Sequence, residues 1–277
     1  MAAAPEVFFL PASNGRQGQR LCLHHRPAGG AERAGIVYVH PFAEEMNKSR
    51  RMAAIQSRAF ADDGYAVLQI DLLGCGDSSG DFGDASWEDW IQDVVEASRW
   101  MQQRCAGPLW LWGLRVGCLL ATEAATRLDA PCNLLFWQPV SAGSSTLQQF
   151  LRLRAAAEMV GGQAKGVVAG LRSRIDAGET IEVAGYRLGP SLAAGLDAGS
   201  LAPPPGPSRV VWIEVSTQDD ASLRPAMKAI VEQWKLEGHT VKARVVQGAA
   251  FWQTSEIEEA PELIDATLAG ATEFVGA

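Results

Sequence analysis

The feature that most constrains this chain is a short turn bounded by two glycines. Residues 108–121 read PLWLWGLRVGCLLA, so an apolar run passes through Gly113-Leu114-Arg115-Val116-Gly117 directly into a helix-like run. Glycines on both sides of one central residue allow a strand and a helix to approach closely around a strained turn. The turn predicts that the Arg115 side chain projects beyond the carboxyl end of a strand, where open α/β sheets bind ligands.

From residue 35 onward, short apolar runs alternate with longer amphipathic segments. Runs that are apolar at every position are typical of strands buried on both faces of a parallel sheet. The predicted strands are Val7–Pro11, Arg20–His25, Ile36–Val39, Ala66–Ile70, Leu109–Leu114, Asn133–Trp137, Val210–Val215 and Val241–Val246. The predicted helices are Ser49–Asp62, Trp87–Gln103, Val116–Leu128, Ser222–Glu237 and Pro261–Phe274. The pattern predicts an α/β fold with a mostly parallel sheet flanked by helices, preceded by an antiparallel hairpin with a turn at Asn14-Gly15.

One long segment interrupts this alternation. Between Val140 and Pro207 the periodicity is helical, no strand is evident, and the segment ends in a proline-rich run. A connection of this length is usually an inserted lid. We therefore predict a core of residues 1–140 and 208–277 and a helical cap of residues 141–207, with helices at Leu147–Val160 and Gln163–Ile175.

Composition argues against several classes of protein. The net charge of −8 is opposite in sign to that of a nucleic-acid-binding surface, so we expect no nucleic-acid partner. No apolar stretch approaches the ~20 residues of a transmembrane helix, and the N-terminus lacks the pattern of a signal peptide. The five cysteines are scattered without a C-x-x-C pair, which favours buried, reduced thiols. We expect a cytoplasmic protein with no transmembrane segment, no metal and no cofactor.

The turn at Gly113–Gly117 resembles the nucleophile elbow, Gly-x-Ser-x-Gly, with which α/β-hydrolases present a catalytic serine. Arg115 stands at the serine position, and a protonated guanidinium cannot attack a carbonyl. Cys118, Ser78 and Ser141 are alternative nucleophiles by residue type, but Cys118 is expected to face the core and neither serine has an evident base.

The other two members of a triad are also incomplete. The histidine of this fold follows the final strand, and residues 247–253 contain none. His239 precedes that strand, and we expect it at the surface. An acid is available after Val210–Val215 as Asp219 or Asp220, but an acid alone does not sustain acyl transfer by the usual route.

Two further loops follow strands at the same edge of the sheet. After Ile36–Val39, His40 has either a direct or a structural role. In α/β-hydrolases this loop supplies an N–H to the oxyanion. Pro41 has no N–H, so Phe42 or Ala43 would have to supply it. The loop Asp71–Ser78 is expected to be structural, with Asp71 capping the turn through backbone N–H groups.

Arg115 admits two roles. At a helix N-terminus, beside Val116, it would bind a carboxylate or phosphate in bidentate geometry. Alternatively it pairs internally, because a buried arginine without a partner is very costly. Internal pairing is favoured, and the candidate partners are Asp219, Asp220, Glu44 and Glu45. The candidate ligand-binding residues are His40, Phe42, Glu44, Arg115 and Val116.

Four segments together resemble a known family. Residues 40–51 (HPFAEEMNKSRR), 71–81 (DLLGCGDSSGD), 113–117 (GLRVG) and 251–254 (FWQT) are similar to the second type of hydrolase associated with the exosortase A system. The resemblance covers about residues 5 to 270. It implies an α/β-hydrolase fold and a role beside exosortase, PEP-CTERM and exopolysaccharide proteins, with arginine at the elbow as part of the family pattern.

These observations support two functions. The first is a pseudoenzyme of the exosortase or exopolysaccharide system that binds an anionic or acyl ligand between the cap and the elbow. The second is an active ester or thioester hydrolase that uses Asp219, Glu44 or a bound water in place of a triad.

Overall fold

The computed structural model describes residues 4–13, 16–29, 32–159 and 166–275. Its strands, in chain order, are β1 (Glu6–Pro11), β2 (Gln19–His25), β3 (Gly35–Val39), β4 (Ala66–Ile70), β5 (Leu109–Leu114), β6 (Asn133–Trp137), β7 (Ile181–Val183), β8 (Tyr186–Leu188), β9 (Arg209–Ser216) and β10 (Thr240–Gln247). Eight of them form one sheet in the order β1-β2-β4-β3-β5-β6-β9-β10. Strand β2 is antiparallel to β1 and β4, and the remaining neighbours are parallel. The predicted mostly parallel sheet is confirmed.

Along the chain, helices alternate with most of the strands of this sheet. They are α1 (Glu44–Asp62), α2 (Trp87–Gln102), α3 (Gly117–Ala125), α4 (Gly143–Met159), α5 (Val167–Asp176), α6 (Pro190–Ala198), α7 (Pro225–Leu236) and α8 (Pro261–Val275), with a short 3-10 helix at Phe82–Asp84. At the start of α2, Ser86 Oγ accepts a hydrogen bond from Asp89 N, and Asp89 Oδ2 accepts one from Ser86 N. This reciprocal capping box is the helix-start signal that the sequence carries.

The central strands are buried because helices cover both faces of the sheet. Every residue of β3 and β5 is buried. On one face Trp112 contacts Tyr38 and Trp137, with ring centroids 4.4 and 4.7 Å apart, and Trp137 Nε1 donates to Thr267 Oγ1 of α8. The five cysteines are free and buried, in agreement with the sequence-based prediction.

The segment between β6 and β9 contains α4, α5 and α6, as its helical periodicity predicts. It also contains the antiparallel β7–β8 hairpin, so the prediction that the segment lacks strands is wrong. A three-residue strand has too few positions for an alternating pattern to be visible in sequence. The predicted helix end Val160 and helix start Gln163 lie outside the described residues, as does the predicted turn at Asn14-Gly15.

The N-terminal hairpin is attached to α2 by buried ion pairs. Asp93 is fully buried and accepts hydrogen bonds from Arg20 Nε at 2.8 Å and Arg16 Nη1 at 2.6 Å. Its Oδ2 also accepts from the backbone N–H of Leu73 at 2.8 Å. Because this one carboxylate holds three chain segments together, it fixes the antiparallel end of the sheet against the parallel part.

Among the described residues, no helix is long and apolar enough to cross a membrane.

Candidate functional site

The turn between β5 and α3 has the strained geometry of an elbow. Arg115 adopts φ = 56°, a left-handed conformation that residues other than glycine rarely adopt. A Cβ atom at Gly117 would lie 2.2 Å from the carbonyl oxygen of Val39, and one at Gly113 would lie 2.5 Å from Cys118 N. Both glycines are therefore required for the close approach of α3 to β3 and β5, as their spacing predicts.

The Arg115 side chain is buried against a carboxylate. Its Nε lies 3.3 Å from Glu45 Oε1, and the side chains of Arg115 and Glu45 are only 9% and 11% exposed. The guanidinium carbon also lies 5.7 Å from the ring centroid of Trp252, within range of a cation–π contact. Internal pairing is therefore the arrangement in the structure, and of the four candidate carboxylates the recorded partner is Glu45.

Burial dominates the acid–base behaviour of this pair. Loss of solvation raises the pKa of Glu45 to about 7, although Arg115 acts in the opposite direction by charge and hydrogen bonding. Burial also raises the pKa of the neighbouring Glu44. A carboxyl group with a pKa near 7 can both accept and release a proton at neutral pH.

Glu44 and Glu45 belong to a helix and not to the loop predicted after His40. Helix α1 begins at Glu44, five residues before the predicted start at Ser49. Two carboxylates in the first turn are favoured by the positive end of the helix dipole. This early start places Glu45 beside the elbow, since the helix follows directly from the loop after β3.

His40 joins two loops. Its Nδ1 lies 2.8 Å from the carbonyl oxygen of Pro41, and its Nε2 accepts a hydrogen bond from the backbone N–H of Leu72 at 3.3 Å. Both ring nitrogens are thus engaged by backbone groups, which assigns the proton to Nδ1. Burial lowers the pKa of His40. Of the two roles considered for His40, these contacts support the structural one.

The loop after β4 is structural, as predicted. Asp71 Oδ2 accepts hydrogen bonds from Asp77 N at 3.2 Å and from Arg50 Nη2 at 3.1 Å. Ser78 Oγ donates to the carbonyl oxygen of Asp71 and accepts from Leu21 N. These contacts use the Ser78 hydroxyl to fix the loop against β2.

The loops after β9 and β10 provide no acid–histidine pair. Asp219 and Asp220 are exposed, and Asp219 Oδ1 accepts a hydrogen bond from Gln247 Nε2 at 2.7 Å. The predicted surface position of His239 is wrong. It is 6% exposed, contacts Trp234, and accepts a hydrogen bond from Ser208 N. The polar side chain of His239 led to the expectation of exposure. The burial depends on contact with Ser208, which precedes β9.

A cavity of about 260 Å³ is lined in part by Glu45, the partner of Arg115, and we call it the elbow cavity. Its wall combines the start of α1, the inner face of α4 and the loop after β10. The lining residues used below are Phe42, Glu44, Glu45, Lys48, Thr146, Phe150 and Trp252. Of the predicted ligand-binding residues, Phe42 and Glu44 line the cavity. Arg115 is not part of the lining and contacts it through Glu45 and Trp252, and His40 is not part of the lining either. Val116 is fully buried at the start of α3, and Asp219 and Asp220 are not part of the lining.

Sequence reasoning missed the residues that α4 contributes. Phe150 packs edge-on against Phe42, with ring centroids 5.1 Å apart, and Tyr186 of β8 packs in the same way against Phe82 at 5.0 Å. These contacts dock the segment between β6 and β9 on the core. The only signal in the sequence is its apolar helical periodicity, which predicts a buried face but not its partner.

Parts of the chain are similar to known hydrolases. Residues 30–159 match the family model described as serine aminopeptidase, S33. A segment is 34% identical over 95 residues to Protein ABHD12B of Homo sapiens, covering 34% of this chain and 25% of that protein. The chain is also 29% identical over 108 residues to the thermostable monoacylglycerol lipase of Bacillus sp. (strain H-257), covering 39% of this chain and 40% of the lipase. The matches thus span a quarter to two fifths of the length of these relatives.

The whole fold is also similar to a solved structure. Est1E from Butyrivibrio proteoclasticus, solved with bound ferulic acid, superposes with a TM-score of 0.70 at 16% sequence identity, covering 98% of this chain and 100% of that one. A similarity at this identity establishes architecture and not chemistry. Together with the strand order and the elbow between β5 and α3, it shows that this chain has the α/β-hydrolase fold.

Proposed function

We propose that this protein binds a small acyl ligand in the elbow cavity without acyl transfer through a Ser-His-Asp triad. The observation that carries the proposal is the Arg115–Glu45 pair, which occupies the elbow at the position of a nucleophile. An arginine cannot form an acyl intermediate. The nearby His40 ring is engaged by backbone groups on both nitrogens, so it is not available as a base.

The charge and shape of the elbow cavity favour an acyl ligand over an anionic one. The positive charge of Arg115 is already matched by Glu45, and Glu44 adds a second carboxylate to the wall. An anion would approach both carboxylates, which opposes its binding. Phe42, Phe150 and Trp252 provide apolar surface for an alkyl chain. The thermostable monoacylglycerol lipase among the relatives supports the same class of ligand.

We place this binding function in the cytoplasm, with the segment 141–207 as a cap over the elbow cavity. The partners we propose are proteins of the exosortase and exopolysaccharide system, on the basis of the motifs at residues 40–51 and 113–117. In this role the protein holds or delivers an acyl compound and does not consume it.

A second candidate is hydrolysis of an ester or thioester without a covalent intermediate. Glu45, whose pKa is raised to about 7, favours it, because such a carboxyl can accept a proton from an attacking water at neutral pH. In this reaction water forms a bond to the acyl carbon, Glu45 takes the proton, and the leaving group recovers the proton as its bond breaks.

One experiment separates the two candidates. Methyl hexanoate and a hexanoyl thioester are incubated with the protein, and ligand-observed NMR follows both binding and product formation. The proposed function predicts binding with no hydrolysis above the buffer rate. Hydrolysis that is lost in Glu45→Gln would establish the second candidate, and absence of binding by either compound would refute the first.

A further inference from the structure

Several buried polar atoms around the elbow cavity have no hydrogen-bond partner among the described residues. They are Glu44 Oε2, Glu45 Oε2, Thr146 Oγ1 and Trp252 Nε1. All four belong to residues that line the elbow cavity. Glu45, Thr146 and Trp252 are 8%, 5% and 3% exposed, so bulk solvent does not reach them freely. Native proteins leave few such atoms unpaired, so a group of them at one cavity calls for a partner that the described residues do not supply.

These atoms come from three separate parts of the fold. Two are on the first turn of α1, one is on α4 and one is in the loop after β10. Their convergence therefore depends on the tertiary structure and not on one local turn. The two carboxylates accept hydrogen bonds, the indole N–H donates one, and the threonine hydroxyl can do either. These four atoms are complementary to a ligand that carries both hydroxyl hydrogens and an acceptor oxygen.

The charges around the elbow cavity balance without a ligand charge. Glu44 and Glu45 carry the negative charges, and Lys48 and Arg115 carry the positive ones. Lys48 Nζ lies 3.3 Å from the carbonyl oxygen of Gln253, and both residues line the cavity. A ligand with a net charge of either sign would meet like charges in the wall, so a neutral ligand is favoured.

We infer that the elbow cavity selects an uncharged ligand whose polar head carries hydroxyl groups, with its apolar body against Phe42 and Phe150. This inference rests on the proposed function and adds the chemistry of the head group. The hydroxyl hydrogen is accepted by the carboxylates of α1 or by Thr146, and an ester or hydroxyl oxygen accepts from Trp252 Nε1. A head that cannot donate leaves the buried acceptors unpaired, which lowers its affinity.

Four matched hexanoyl probes test the inference by isothermal titration at pH 7.5. They are 2-hydroxyethyl hexanoate, 2-methoxyethyl hexanoate, hexanoylcholine and hexanoate. They share one chain and present a hydroxyl, a capped hydroxyl, a cation and an anion. The hydroxyethyl ester is expected to bind about tenfold more tightly than the methoxyethyl ester, as for loss of one hydrogen bond to a buried charged group. It is also expected to bind more tightly than both charged probes.

Other outcomes have distinct meanings. If the methoxyethyl ester or either charged probe binds as tightly as the hydroxyethyl ester, the inference is wrong while the proposed acyl-binding function stands. If none of the four binds, the proposed function is contradicted as well.

Variants locate the group that receives the hydroxyl. Thr146→Val preserves the shape of the side chain and removes an unpartnered oxygen. Glu44→Gln replaces the half-buried carboxylate in the wall of the cavity with a neutral amide. Each is expected to reduce the ratio of the two ester affinities towards one. Thr122→Val is the matched control, because Thr122 is equally buried but its hydroxyl already donates to the carbonyl oxygen of Leu119. A ratio that stays at its wild-type value in Thr146→Val, Glu44→Gln and Glu45→Gln would overturn the assignment.

Discussion

At the scale of single residues, the site is defined by one ion pair that is buried in surroundings of low dielectric constant. Arg115 and Glu45 are both buried, and each compensates the desolvation of the other. A buried pair of this kind contributes little compared with an apolar pair, but removal of one partner strands the other charge. The pair therefore holds the elbow in place because separating the two charges would leave one of them buried without a partner.

Arg115→Ala is expected to lower the free energy of unfolding by about 3 kcal/mol at pH 8, because Glu45 then lacks its cation. The loss should be smaller at pH 6, where Glu45 is mostly protonated. Urea denaturation at both pH values measures this. Arg51→Ala is the control: its pair with Glu259 is exposed, so we expect a loss below about 1 kcal/mol. Equal losses for the two variants would show that the elbow pair is solvated.

Glu45 should also give stability a particular pH dependence. The pKa of Glu45 is about 7 in the folded protein, against an ordinary value of 4.5. Between pH 4.5 and pH 7, the folded protein therefore holds a proton that the unfolded chain has released. The contribution of Glu45 is present in full below about pH 4.5 and is lost as pH rises through 7, by about 3 kcal/mol.

Glu45→Gln removes this titration, so the variant should equal the wild type near pH 4.5 and exceed its stability at pH 8. Burial lowers the pKa of His25 to about 4, which has the opposite effect over a similar range. Because His25 is present in both proteins, its contribution cancels in the difference between them. Parallel pH profiles for wild type and variant would contradict the assignment of the raised pKa to Glu45.

Restoring a serine should not restore a triad. Arg115→Ser places a hydroxyl at the elbow, but no histidine follows β10 and both nitrogens of His40 are engaged. Hydrolysis of a nitrophenyl ester by this variant should equal that by Arg115→Ala, since neither has a histidine to activate a serine hydroxyl. Turnover by the serine variant alone would show that a group other than histidine activates the serine.

Residue types in the sequence indicated the elbow, its missing nucleophile and the need of Arg115 for a carboxylate partner. Sequence alone could not select Glu45 from the four candidates. The choice depends on where α1 begins, and helix ends are set by local loop geometry that periodicity does not encode. The exposed Asp219 has the right position along the chain, but its side chain contacts Gln247 and not the elbow.

At the scale of elements, the elbow depends on how closely α3 approaches the sheet. Gly117 leaves no room for a methyl group against the backbone of β3, and that backbone cannot move without disturbing the sheet. The positions of β3, β5 and α3 were predictable because buried strands and amphipathic helices differ in period. The close approach of α3 to β3 and β5 was predictable only from the spacing of Gly113 and Gly117.

Gly117→Ala is expected to reduce the free energy of unfolding by about 2 kcal/mol or more, through overpacking against the carbonyl oxygen of Val39. Gly170→Ala is the matched control. Gly170 lies within α5 with open space around its Cβ position, so alanine should stabilise the protein by about 0.5–1 kcal/mol. Thermal and urea denaturation of the two variants should therefore give opposite signs, and equal effects would contradict the close approach.

At the scale of the whole molecule, the core and the segment between β6 and β9 together enclose the elbow cavity. The bounds of the eight strands of the main sheet followed from sequence to within one residue, because burial on both faces leaves a clear apolar pattern. The docking of α4 and of the β7–β8 hairpin did not. It rests on contacts such as Phe42–Phe150, which join residues more than 100 positions apart.

The central claim is that the elbow of this α/β-hydrolase fold serves binding without a nucleophilic serine. Its most direct test is intact-protein mass spectrometry after incubation with a fluorophosphonate probe, which forms a covalent adduct with activated serines. We expect an unchanged protein mass, because Arg115 occupies the nucleophile position and the Ser78 hydroxyl is engaged by Asp71 and Leu21. A stoichiometric adduct on any serine would contradict it.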